Sequence, residues 1–269
     1  MPNPNQPVTV VIPARFGSSR FPGKPLALLA GKPLIQHVYE RAQSAPGVHR
    51  VLVATDDARI QKAVTAFGGT VVMPEGRFRT GTDRVAAAAR QLPGDVFVNL
   101  QGDEIALHPG LLADLITPFL ASGTPMGTLK RALTSLEEVA NPGIVKVVTD
   151  AEGNALYFSR APIPYDRETG LGNFVDGLHY VHLGIYIYTR ETLLRFADLP
   201  TSQLEDAEKL EQLRALEHGI RIRVWETAHQ SLRIDTPDDL KEAATVLTRT
   251  ARNQTAGRSA GRRKARAAR

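Results

Sequence analysis

Cysteine is absent from all 269 residues, which rules out a disulfide framework and a thiolate metal site. No apolar run reaches the length that crosses a bilayer; Val8–Ile12 is far too short. The opening Met1-Pro2-Asn3-Pro4-Asn5-Gln6-Pro7 has neither the basic nor the apolar region of a secretory signal. These absences predict a soluble, cytoplasmic protein. Acidic residues are missing from 249–269, which hold eight Lys and Arg, so a whole-chain formal charge of +5 becomes −3 for the remainder. That tail lacks aliphatic bulk and reads as disordered. Without aromatic residues between the arginines it predicts at most non-specific contacts with nucleic acid or other polyanions.

Two familiar phosphate motifs are also lacking. No Gly-x-Gly-x-x-Gly follows the first strand-like run, which argues against a nicotinamide or flavin enzyme. A Walker A loop needs four residues between Gly and Gly-Lys and a following Ser or Thr. Here five residues separate Gly17 from Gly23, and Pro25 follows Lys24. What is present is a glycine- and proline-laced basic loop, Pro13-Ala14-Arg15-Phe16-Gly17-Ser18-Ser19-Arg20-Phe21-Pro22-Gly23-Lys24, directly after Val8–Ile12. Five β-favouring residues in a row predict a strand covered on both faces. Open α/β sheets bind ligands at the carboxyl ends of such strands. Gly17 and Gly23 permit close backbone approach, and Arg15, Arg20 and Lys24 supply charge for a nucleoside triphosphate held without a Walker loop.

Strand-like runs at Val8–Ile12, Arg50–Ala54, Thr70–Val72 and Asp95–Leu100 alternate with helical patterns at Leu34–Ala42, Arg59–Phe67, Thr82–Gln91 and Leu111–Leu120. That order predicts an α/β fold with a Rossmann-like, mainly parallel sheet. After Pro125 the pattern turns β-rich, at Val145–Val148, Ala155–Phe158 and Tyr180–Tyr188, which predicts a smaller, more antiparallel lobe within about residues 126–190. A helix over Ala207–Glu217, a strand over Arg221–Trp225 and a helix over Pro237–Thr248 complete one domain, 1–248, followed by the tail 249–269. Asp103 leaves the apolar strand at the same sheet edge as the basic loop, where a hard oxygen ligand suits Mg2+ beside a triphosphate. Asp56-Asp57 is assigned to capping the helix that follows it. His179 and His182 lie an odd number of residues apart on a strand, face opposite ways and form no metal pair.

Seven segments in order carry a resemblance: the run from Ile12 to Leu26, Arg79-Thr80-Gly81-Thr82-Asp83-Arg84, Asn99-Leu100-Gln101-Gly102-Asp103-Glu104, Leu156-Tyr157-Phe158-Ser159-Arg160-Ala161, His182-Leu183-Gly184-Ile185-Tyr186, Leu210-Glu211-Gln212-Leu213-Arg214 and Ile234-Asp235-Thr236-Pro237-Asp238-Asp239-Leu240. Together they resemble the 3-deoxy-manno-octulosonate cytidylyltransferases, or CMP-Kdo synthetases, over roughly Val8 to Leu247. The resemblance implies a nucleotidyltransferase-type fold, a homodimer, and the joining of CTP to the acidic 3-deoxy sugar Kdo, with release of diphosphate, for lipopolysaccharide synthesis. Alternatives are CMP transfer to another acidic sugar, or nucleotide binding without turnover. It implies catalytic roles for Arg15, Lys24 and Asp103, and nucleotide contacts from Pro13, Ala14, Arg15, Arg20, Lys24, Thr80, Gly81, Thr82, Arg84, Gln101 and Asp103, with the Thr80–Arg84 turn choosing cytosine. Sugar contacts are expected from Gln101, Arg160, His182, Tyr186, Glu211 and Gln212, where the Arg160 fork suits a carboxylate. Asp103 and Asp235 are the expected magnesium ligands; Asp235 reads equally well as a helix N-cap, roles that coexist only if its oxygens are shared. Phe21, Ile105, Gln203 and Arg233 depart from the family's usual residues.

Overall fold

A computed structural model describes residues 6–17, 21–104, 108–170, 174–229, 234, 236–241 and 243. The first half runs β1 (Val8–Pro13), a 3-10 turn (Lys24–Leu26), the small hairpin β2 (Leu28–Leu29) and β3 (Lys32–Pro33), α1 (Leu34–Gln43), β4 (Val48–Ala54), α2 (Ala58–Ala66), β5 (Val71–Val72), α3 (Gly81–Gln91), β6 (Val96–Asn99) and α4 (Pro109–Ser122). The second half runs β7 (Met126–Ala132), α5 (Leu136–Ala140), β8 (Lys146–Thr149), β9 (Ala155–Ser159), β10 (Tyr180–Thr189), α6 (Arg190–Asp198), α7 (Gln203–Glu208), α8 (Gln212–Glu217) and β11 (Ile222–Glu226). One sheet takes the order β11-β7-β10-β6-β1-β4-β5, with β8 branching from β10 and β9 pairing only β8.

The apolar run of β1 is buried on both faces, as its composition requires. Val10 and Ile12 enter one core with Leu34, Ile35 and Val38 of α1 and Leu112 and Ile116 of α4. Val11 enters the other with Leu52, Val85 and Phe97. β1 pairs in parallel with both β4 and β6, so these three strands end at one sheet edge, at Pro13, Ala54 and Asn99. β10 runs the opposite way against β6, with Tyr186 opposite Asn99. Its earlier residues therefore extend past the same sheet edge, and β7, antiparallel to β10, delivers Lys130 and Arg131 there as well. Thus the β-rich stretch 126–190 shares the central sheet through β7 and β10, and the purely antiparallel part is the small β8–β9 pair.

Three elements differ from expectation. β7 has no sequence signal because Gly127, Thr128, Lys130 and Arg131 interrupt its apolar pattern, and α6 follows β10 without a break. The helix expected over Ala207–Glu217 is split: Lys209 adopts φ 54° and ψ 47°, ending α7 and starting an elbow before α8. The last helix starts at residue 237 and is helical as far as it is described; residues 249–269 lie outside the described residues. Among the described residues no helix is long and apolar enough to cross a membrane.

Candidate active site

The basic loop leaves β1 under tight local control. Ala14 N–H donates to Ala54 O (2.9 Å), and Gly23 N–H donates back to Phe16 O (2.9 Å). Gly23 sits at φ 71°, and a Cβ there would lie 3.1 Å from the Phe16 ring, so glycine is required twice over. Phe16 is itself capped by the Arg59 guanidinium, 3.3 Å from its ring centroid. This closure aims Lys24 at the end of β6, where its ammonium donates to Asp103 Oδ2 (2.9 Å) and to Ile234 O (2.8 Å). Ile234 N–H in turn donates to Asp103 O (3.1 Å). Arg15 is exposed beside them; Arg20 and Asp235 lie outside the described residues.

Asp103, 8% exposed, is the carboxylate at this edge. Among the described residues no group of three or more His, Asp or Glu could enclose a metal. That donor set fits magnesium, which takes one or two carboxylates and draws its other ligands from phosphate oxygens and water. The ammonium already seated on Asp103 shows that this oxygen faces a place for a cation. Asp235, expected as a magnesium ligand or helix N-cap, lies outside the described residues. Beside it, Thr236 Oγ1 accepts from Asp239 N–H (3.2 Å) and Asp239 Oδ2 accepts from Thr236 N–H (2.8 Å), a reciprocal capping box at the start of the last helix. Asp57, as expected, caps α2, accepting from Arg59 N–H (2.9 Å).

The start of α3 faces the same edge. A Cβ on Gly81 would meet Pro13 at 3.3 Å and Gln101 Oε1 at 3.4 Å, so the three loops converge where glycine leaves room. The side chains around it are already committed. Thr80 forms a capping box with Asp83. Arg84 is buried, paired to Asp56 (2.9 Å) and set over the Phe78 ring. Thr82 Oγ1 donates to Glu211 Oε2 (2.7 Å). Thr80, Thr82 and Arg84, the expected nucleotide contacts, thus already take part in helix capping, a buried hydrogen bond and an ion pair, and capping is compatible with a base contact at the turn, where Gly81 presents its backbone.

A cavity of about 530 Å3 opens beside Gly81. All six expected sugar residues, Gln101, Arg160, His182, Tyr186, Glu211 and Gln212, line it, although they come from separate segments of the chain. Glu104, which closes one of the resembling segments without an expected role, also lines it, as do Arg131 and Lys209, which carried no sequence signal of their own. A second cavity, about 520 Å3, lies at the opposite sheet edge around Asp95, Phe119 and Arg190 and contains none of the expected residues.

Hydrogen bonding fixes what the main cavity offers. Gln101 Nε2 donates to Asn99 Oδ1 (3.1 Å), which leaves its carbonyl for a ligand. The Thr128 hydroxyl lies 2.8 Å from Ile185 O and 3.0 Å from Leu183 O, so its proton goes to a carbonyl. His182 Nε2, 3.0 Å from the same oxygen, must then carry the proton and donate, leaving Nδ1 as an acceptor. Burial pushes the His182 pKa down to about 3, so the ring stays neutral. Burial raises the Glu211 carboxyl above its ordinary range, and the Thr82 hydroxyl opposes that rise. The Gln101 carbonyl, His182 Nδ1 and the Glu211 carboxyl thus offer acceptors, the Tyr186 hydroxyl and Gln212 amide stand beside them, and Arg131, Arg160 and Lys209 add positive charge to the lining.

Arg160 is held before any ligand arrives. Its Nε donates to Glu208 O (2.8 Å), its Nη1 to Pro142 O (3.0 Å), and its backbone N–H to Glu208 Oε2 (3.0 Å). Two of its fork nitrogens are therefore engaged, and a carboxylate must share one of them to be gripped at two points. The fully buried Lys146 ammonium donates to Arg160 O (2.6 Å), Ile144 O (2.6 Å) and Asn141 O (2.9 Å), tying the Arg160 strand to the 141–144 wall.

Comparison with known proteins agrees with this geometry. The family model described as Cytidylyltransferase matches residues 9–222. A 3-deoxy-manno-octulosonate cytidylyltransferase of Geobacter sulfurreducens is 50% identical over 247 residues, covering 89% of this chain and 99% of the relative. One from an Anaeromyxobacter species is 54% identical over 242 residues, covering 89% and 96%. A solved CMP:2-keto-3-deoxy-manno-octonic acid synthetase in complex with CTP superposes with a TM-score of 0.85 at 43% identity, over 91% of this chain and 99% of that one. A cytidylyltransferase structure from Leptospira borgpetersenii, 17% identical with a TM-score of 0.56, covers 87% of this chain and 83% of its own and shares the fold.

Proposed function

The chain belongs to the cytidylyltransferase family, among the 3-deoxy-manno-octulosonate cytidylyltransferases, and from that premise we propose that it joins CTP and Kdo to give CMP-Kdo and diphosphate. The observation that carries the substrate reading is the cavity beside Gly81: hydrogen-bonding groups for several hydroxyls and the cations Arg131, Arg160 and Lys209 for a carboxylate, with Gln101 and Glu104, sequence neighbours of Asp103, in its lining. The sugar's anomeric oxygen attacks the α-phosphorus of CTP and loses its proton to solvent. The bond from that phosphorus to the bridging oxygen breaks, and diphosphate leaves. Lys24 and Arg15 neutralise the triphosphate, Gly81 backbone and Gln101 border the base and sugar, and Arg160 orients the sugar acid. Such transfer depends chiefly on positioning and electrostatic stabilisation. Asp103, with Asp235 as the second ligand, would hold magnesium, which supplies charge neutralisation to the attacking and leaving oxygens.

Two of the departures from the family pattern lie away from the cavity. Phe21 packs against the α1–α4 core, and Gln203 is exposed at the start of α7, so neither supports a different sugar. Ile105 and Arg233 lie outside the described residues. A cytoplasmic homodimer is part of the reading, supported by the large exposed side chains Leu156 (61%) and Tyr165 (70%) on the β-rich stretch. Diphosphate release with CTP, UTP or ATP against a panel of 3-deoxy-ulosonic acids tests the whole. Release with CTP and Kdo is expected; a higher kcat/KM for another acid or nucleotide refutes it.

A further inference from the structure

Asn99 and Thr82 do something that neither the family reading nor the motifs assign. Both are buried, 1% and 5% exposed, below the cavity floor at the carboxyl end of β6 and the first turn of α3. Gln101 Nε2 donates to Asn99 Oδ1 (3.1 Å), Asn99 Nδ2 donates to Thr82 Oγ1 (3.1 Å), and Thr82 Oγ1 donates to Glu211 Oε2 (2.7 Å). Thr82 accepts from the Asn99 amide and gives its single proton to Glu211, with the Tyr188 hydroxyl against both Thr82 and Asn99. Asn99 turns its Nδ2 to Thr82 and its Oδ1 to Gln101, so Gln101 turns its amide nitrogen inward and its carbonyl outward.

We propose that Asn99 and Thr82 are positioning residues for the acid sugar: the chain Gln101–Asn99–Thr82–Glu211 presents the Gln101 carbonyl and the Glu211 carboxylate as acceptors for the ligand's hydroxyl donors. The inference rests on the Kdo reading for its substrate but not for its geometry. Around Glu211 stand Tyr186 and Tyr188 from β10, Asp83 from α3, and the Glu205–Arg214 pair from α7 and α8. Among the groups described around its carboxylate, Thr82 is the one that donates a hydrogen bond to it. A hydrogen bond to the charged form lowers a carboxyl pKa, so Thr82 opposes the rise that burial imposes on Glu211.

Thr82→Val keeps the shape and removes the proton, whereas Thr82→Ser keeps it. Thr82→Val is expected to raise the KM for Kdo about tenfold, the size of one modest hydrogen bond. The acid limb of kcat/KM for the sugar, and the 13C carboxyl titration of Glu211 in the ligand-free protein (assigned by its loss in Glu211→Gln), should both move up by roughly one pH unit. Thr82→Ser should restore all three. Should Thr82→Val fail to fold, Asn99→Asp gives the same test, because the new carboxylate takes the Thr82 proton away from Glu211. An unmoved Glu211 titration overturns the relay, as does an unchanged KM for Kdo. If the native protein does not use Kdo at all, the substrate reading falls, while the carboxyl titration still decides the relay.

Discussion

Replacing Glu205 by glutamine tests how the elbow that carries Glu211 is held. The Glu205 carboxylate grips Arg214 at two points, Oε2 to Nε at 2.7 Å and Oε1 to Nη2 at 2.5 Å, with the side chains 9% and 1% exposed. A glutamine there would keep the size but present an N–H to one guanidinium N–H and leave the Arg214 charge buried without an anion. Breaking a buried pair in this way costs about 3–5 kcal/mol, much of it from the stranded charge. Arg214 also reaches Leu199 O at 3.4 Å and stacks over Phe196, contacts that survive and place the expectation near about 3 kcal/mol. At a urea m-value of about 3 kcal/mol/M, the unfolding midpoint should fall by about 1 M. Because α7 and α8 flank Lys209 to Glu211, the KM for the sugar should rise more than that for CTP. The double replacement Glu205→Leu with Arg214→Met should recover most of the stability, since no charge is left to desolvate. A midpoint for Glu205→Gln within about 0.2 M of the native value, at unchanged m, would refute the reasoning.

Asp103→Asn should lower turnover on the order of a thousandfold and also destabilise the ligand-free protein by about 1–3 kcal/mol, because Lys24 loses its carboxylate partner; full activity at limiting magnesium would sink the assignment. Asp235→Asn should lower turnover similarly with little effect on stability, since Thr236 and Asp239 already cap the last helix; calorimetry and steady-state kinetics separate the two. Arg160→Lys should raise the KM for the acid sugar and spare CTP binding, because lysine cannot keep the bonds to Glu208 O and Pro142 O while still meeting a carboxylate. For His182 the folded pKa of about 3 lies below the ordinary 6.5, so the unfolded chain binds the proton first and stability falls as pH drops from 6.5 toward 3. That loss is about 2 kcal/mol at pH 5, and denaturant titrations at pH 7.5 and pH 5 should show it vanish in His182→Leu.

The run Val8–Ile12, the break at Pro13 and the alternating patterns through Leu120 determined a parallel α/β sheet, because local periodicity and burial on both faces are properties of short segments. Gly23 and Lys24 could be read as a phosphate-facing turn from residue type alone. The motifs likewise named six of the residues that line the main cavity. β7 escaped notice because its stability comes from pairing with β10 and β11, which lie far along the chain, and not from its own apolar content. The break at Lys209 was hidden for a similar reason. Its left-handed backbone is imposed where the Glu205–Arg214 pair and the packing of Leu210 and Leu213 turn the chain, and nothing in a lysine announces it. Only the tertiary structure decided which partners Thr80, Thr82 and Arg84 take within the protein, that Thr236 and Asp239 form a capping box at the last helix, and that Lys24 meets Asp103. Hydrogen-bond direction and ion pairing depend on which groups converge in space, and a one-dimensional pattern records the residue types but not their partners.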